Sequence, residues 1–131
     1  VAADPIFVGT PRFGAARNAT ANTARDGTGT LGSVFTAGVS GSRIDRIVIR
    51  AGSTTTAGVV RLFVDTTSTV YLWNEILVTA ITPSGTVVSF ERVLISPEPG
   101  VPLLILPASY ILKFGTHNAE TFDVMAIGGD F

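Results

Sequence analysis

Apolar and polar residues alternate with a period of two along most of this chain, which predicts strands rather than helices. Residues 43–50 read RIDRIVIR, with Ile47 and Ile49 on one face and Arg46, Val48 and Arg50 on a wetter one. Residues 58–65 (GVVRLFVD) place Val60, Leu62 and Val64 against Val59, Arg61 and Phe63. Residues 70–78 (VYLWNEILV) and 86–95 (TVVSFERVLI) are further β-rich runs, and 109–115 (SYILKFG) and 121–127 (TFDVMAI) form a last pair around the polar THNAE of 116–120. Leu, Ala, Glu and Lys never gather at helical spacing, so no helix is expected.

Turn chemistry separates these runs. Asp26-Gly27 followed by Thr28-Gly29 carries the glycines that a tight hairpin turn needs at positive φ. The stretches 38–42, 53–58, 66–69 and 82–85 mark other corners. About eight short strands at this spacing predict an all-β fold, a single-domain antiparallel β-sandwich of jelly-roll-like form.

Two stretches break the rhythm. Residues 1–30 are rich in Ala, Thr, Asn and Gly, with Ile6, Phe7, Val8 and Phe13 as their large apolar groups. They read as an N-terminal arm or an edge-strand segment, with the sandwich proper spanning 31–131. Residues 96–107 (SPEPGVPLLILP) bracket the apolar tetrad 103–106 with prolines, which cannot donate to a sheet ladder. That element belongs at a sheet edge or at a crossing between sheets, and Leu103 and Leu104 are core or interface residues.

Composition changes the picture in one respect. Only 15% of the 131 residues are charged, against about 25% in an ordinary soluble domain, and the mean hydropathy is +0.46. Such a chain covers its surface with Thr, Ser, Gly and Ala or buries it against partners. No apolar run approaches the roughly 20 residues that cross a bilayer, so no membrane partner is expected. The first residues lack a basic segment followed by an apolar one, so synthesis in the cytoplasm without a secretory leader is expected. With a net charge of −1 and a single lysine, Lys113, the chain lacks the basic surplus of a nucleic-acid binder.

The candidate chemistry is thin. There are no cysteines, which removes thiolate metal sites and thiol nucleophiles. The single histidine, His117, sits in the THNAE turn, and no GxSxG elbow accompanies it. Asp65, Glu75, Glu91 and Asp123 could be paired for glycoside chemistry, but they fall on strand ends or wet faces where solvated carboxylates belong. DGTGT at 26–30 lacks the repeated acidic ligands of a calcium loop. Tyr71 and Trp73, two apart, could share a face and stack on a sugar, or plug the core. No cofactor and no enzymatic activity are expected.

Three blocks carry a resemblance: ADPIFVGTPRFGAARNATANTARDGTGT near the start, GSRIDRIVIRAGSTTTAGVVRLFV in the centre, and LPASYILKFGTHNAETFDVMAIGGDF at the end. Together they resemble short proteins of tailed-bacteriophage and prophage structural modules, nearly end to end. The resemblance implies a virion component on the capsid surface, a capsid decoration (cement) protein that oligomerises as a trimer and binds the major capsid protein. In that setting residues 1–30 would add a strand to a neighbour, with Phe7 as an anchor and Arg12 and Arg17, flanking Phe13, meeting acidic groups on the shell. The alternative is a phage fibre or tail-associated module that binds host polysaccharide through Tyr71, Trp73 or Tyr110.

Overall fold

The computed structural model describes residues 8–131, and most of the alternating runs are strands in it. The strands are β1 (Thr10–Asn18), β2 (Gly32–Thr36), β3 (Ser42–Ala51), β4 (Gly58–Asp65), β5 (Val70–Val78), β6 (Glu91–Ile95), β7 (Leu104–Leu106), β8 (Ile111–Thr116) and β9 (Phe122–Asp130). No helix occurs among the described residues. One sheet, here sheet A, has the order β1-β9-β3-β6, with β7 also paired to β3; the other, sheet B, has the order β2-β8-β4-β5. Every ladder is antiparallel.

The inner faces of both sheets supply one core. Ile44, Ile47 and Ile49 of β3 and Phe122, Val124 and Ala126 of β9 lie in it with Val60 and Leu62 of β4 and Leu112 and Phe114 of β8. The architecture is therefore an all-β, antiparallel sandwich, as the alternation predicts. Nine strands replace the expected eight because one edge element is split. β6 pairs with Arg46–Arg50 of β3 and β7 with Ser42–Ile44, end to end along the same side of that strand. The proline-rich segment between them thus lies at a sheet edge, where its missing donors cost nothing.

The parity of β3 has a specific cause. Ile44, Ile47 and Ile49 are all fully buried, although 44 and 47 have opposite parity. A bulge between Ile44 and Arg46 sets Asp45 aside in the pairing with β9 and restores the alternation. Two sequence expectations are trimmed. Residues 86–90 are not a strand, because Ser84 and Val87 close a local turn and leave Val87 and Val88 exposed. The 26–29 glycines do take positive φ, 87° at Gly27 and 83° at Gly29, but within a long connection and not in a hairpin between paired strands.

That connection, residues 19–31, runs across the outer face of sheet B. Ala21 bridges Thr116, and the backbone NH of Asn22 donates to the carbonyl of Thr116. The Asn22 side chain holds the loop in shape by donating to the carbonyls of Thr28 and Thr30 and accepting from the Ala24 NH. Beneath it, Arg61 and Phe63 of β4 are buried although they point away from the core. The outer side of sheet B is therefore covered over β4, although Leu77 at its β5 edge stays 69% exposed, whereas sheet A is covered on one face.

Candidate interaction surface

The uncovered side of sheet A is built by register. Reading across β1, β9, β3 and β6, one row is Ala15, Met125, Val48 and Val93, and the next is Phe13, Ile127, Arg46 and Ile95. Both are rows of directly paired residues on the outward side, since their neighbours Ile47, Ile49, Val124 and Ala126 point into the core. Phe13 is 63% exposed, Ile95 57% and Val93 41%. Ile105 of β7 extends the apolar area beside Arg43. Scattered exposed apolar residues are ordinary, but paired rows across four strands make a continuous patch.

Charges border this patch in a fixed order. The third row is Arg17, Asp123, Arg50 and Glu91, alternately positive and negative from β1 to β6. Arg17 Nε donates to Asp123 Oδ1 at 2.6 Å and its NH2 to Oδ2 at 3.1 Å, a two-pronged pair. Arg50 is likewise paired with Glu91. The hydrogen bond from Arg17, with its charge, holds the Asp123 carboxyl below the usual carboxylate range and raises the guanidinium of Arg17. Two open hollows of about 330 and 370 Å3 indent the same face, one beside Ala15, Arg17, Asp123 and Met125, the other beside Arg46, Ile95, Pro99, Val101 and Ile127.

The residues singled out from the sequence divide between this face and others. Phe13 and Arg17 lie on it. Arg12 points to the opposite side of β1, where it donates to the carbonyl of Thr36 at 2.6 Å and to Asp130 at 3.1 Å, its guanidinium 4.4 Å from the centre of the Phe35 ring. Arg12 therefore fastens β1 to β2 and β9. Leu103 and Leu104 are half-buried and pack against the core. Phe7 lies outside the described residues. Val48 was legible as a wet-face position, but its neighbours Met125 and Val93 were not, because they join it only through strand register.

The chemical candidates are each engaged elsewhere. Asp65 pairs with Lys113 at 2.8 Å, Glu75 with Arg25 at 3.1 Å, and Glu91 and Asp123 with the arginines named above. His117 is half-buried, its Nδ1 3.3 Å from the Arg61 guanidinium. Among the described residues no three His, Asp or Glu side chains gather to hold a metal. Trp73 and Tyr110 pack against the core, and Tyr71 is 58% exposed. Sought among protein-family models, curated proteins and solved structures, the chain has no match.

Proposed function

We propose that this protein is a structural component of a tailed-bacteriophage virion, a capsid decoration protein that works by burying the outer face of sheet A against other protein. The observation that carries this reading is the largely apolar patch of exposed Phe13, Ile127, Val93 and Ile95 around half-buried Val48 and Met125, with Arg46 among them and the ordered charges of Arg17, Asp123, Arg50 and Glu91 along its edge. A patch of this kind on a rigid sheet is a contact surface. The end-to-end resemblance supplies the setting. The strand order, β1-β9-β3 with β6 and β7 facing β2-β8-β4-β5, supports a jelly roll with its sixth strand split. Engagement of all four candidate carboxylates in ion pairs supports a role without catalysis. The partners under this reading are copies of the chain itself and the major capsid protein, and many-copy attachment makes weak single contacts sufficient.

The test is electron cryo-microscopy of heads, with and without the protein, alongside a Val48→Asp variant. The expected result is density for the sandwich on the outer shell, heads that lose heat resistance without it, and loss of attachment for the variant with an unchanged β circular-dichroism spectrum. Absence of the chain from heads, or its location on a tail fibre together with glycan binding through Tyr71, would overturn the proposal.

A further inference from the structure

The charged row is its own complement. Across β1, β9, β3 and β6 it reads plus, minus, plus, minus. A twofold axis lying in the face, parallel to the strands and midway between β9 and β3, reverses that order in a facing copy. Arg17 then lies opposite Glu91 of the other copy and Asp123 opposite Arg50, so every cross-pair is of opposite sign. An axis perpendicular to the strands and passing over the row would instead set Arg17 on Arg17 and Asp123 on Asp123. The first arrangement stacks two sheets with their strands nearly aligned, which is the common way for sheets to pack. It also brings Ala15 over Val93, Met125 over Val48 and Phe13 over Ile95, so apolar side chains meet apolar ones at these positions, while Arg46 lies over Ile127 with its charged end free to reach the rim.

We infer that the outer face of sheet A binds a second copy of this chain, face to face about a twofold axis parallel to its strands, with the Arg17–Asp123–Arg50–Glu91 row setting the register. This rests on the reading of that face as a contact surface and names its partner. It makes the pair an isologous dimer, in which the same patch serves both subunits, and places the twofold where the resemblance implied a threefold. The size of the face sets its strength. Four strands about 4.8 Å apart are roughly 19 Å across, and with three rows the face covers on the order of 400 Å2 per copy, short of the ~800 Å2 of a standard interface. The pair is accordingly weak in dilute solution and forms where copies are held at high local concentration.

Sedimentation velocity over a concentration series reads this directly. The wild-type protein is expected to show reversible monomer–dimer exchange, with dissociation on the order of tens of micromolar or weaker, weakening further as salt screens the exposed row. Arg50→Glu sets negative against negative at both central positions and is expected to weaken pairing by at least about tenfold. The fourfold inversion Arg17→Glu, Asp123→Arg, Arg50→Glu, Glu91→Arg keeps the pairing within each chain and the alternation. It is expected to dimerise with itself as the wild type does and to form no mixed dimers with the wild type. A wild type that stays monomeric at millimolar concentration, an Arg50→Glu variant that pairs normally, or free mixing of inverted and wild-type chains would each overturn the inference. Should the inverted chain fail to fold, the Arg50→Glu and salt series still decide. Monomers that nonetheless attach to heads overturn this inference and leave the decoration role standing, whereas dimers absent from heads do the reverse.

Discussion

Arg61 is the least expected residue of the molecule, a guanidinium with 1% of its surface exposed on the side of β4 that faces away from the core. It donates to the carbonyl of Asn22 at 3.2 Å and lies 3.6 Å from Glu75, and its Nε has no hydrogen-bond partner. The side chain therefore joins the 19–31 connection to sheet B. Truncation to Ala removes buried volume and strands the Asn22 carbonyl, and is expected to cost about 2–4 kcal/mol in chemical denaturation. Arg61→Met, which keeps the stem, should cost less. A second residue-scale prediction concerns acid. Asp130 accepts a hydrogen bond from the Ser42 hydroxyl at 2.5 Å and another from Arg12, and these hold its pKa below the ordinary carboxylate value. A depressed folded pKa contributes stability that is present above the unfolded value, about 4, and is lost as pH falls through the folded one. The stability gap between wild type and Asp130→Asn, followed by denaturation from pH 7 downward, should hold to about pH 4–5 and then close. A gap that widens on acidification would contradict this account.

At the scale of elements, the close approaches are made by glycine. A Cβ at Gly14 of β1 would come within 2.3 Å of the Val34 carbonyl oxygen in β2, and one at Gly128 of β9 within 1.9 Å of the Arg43 carbonyl oxygen in β3. Both obstacles are backbone and cannot turn aside. Gly14→Ala and Gly128→Ala should each destabilise by about 2 kcal/mol or more. Gly85→Ala, where a Cβ meets nothing within 4 Å, should change stability by less than about 1 kcal/mol and serves as the control. Thermal unfolding of the three variants side by side checks the contrast. These contacts also mark where the sequence stops being legible. Alternation along 43–50 assigns Arg46, Val48 and Arg50 to one face, and the fold agrees. The same alternation cannot reveal that Ile44 is buried too, because the bulge at Asp45 is set by pairing with β9, more than eighty positions away. The contact face is assembled the same way, from Ala15, Val48, Val93 and Met125, which no local pattern links. The burial of Arg61 and Phe63 depends on a loop folding over them, and a period of two says only that they oppose Val60 and Leu62.

For the whole molecule, the first strand is part of the sandwich. β1 pairs with β9 along nine residues, from Thr10 to Asn18, and Arg12 reaches across to Thr36 and Phe35. Deleting residues 1–20 should therefore lower the unfolding midpoint sharply or prevent folding. Retention of full stability by that deletion would show that β1 is dispensable. One further consequence follows from the split edge of sheet A. A protein packed in many copies on one surface runs the hazard of runaway β-polymerisation, in which a free edge recruits the next chain and the sheet grows into a fibre. Here β3 is flanked by two short pieces, five residues in β6 and three in β7, with Pro97, Pro99 and Pro102 in the gap between them. Along this edge an incoming strand finds no straight ladder longer than a few residues. Sheet growth from that side is blunted, which favours contact between copies through their faces, where geometry limits the number that join.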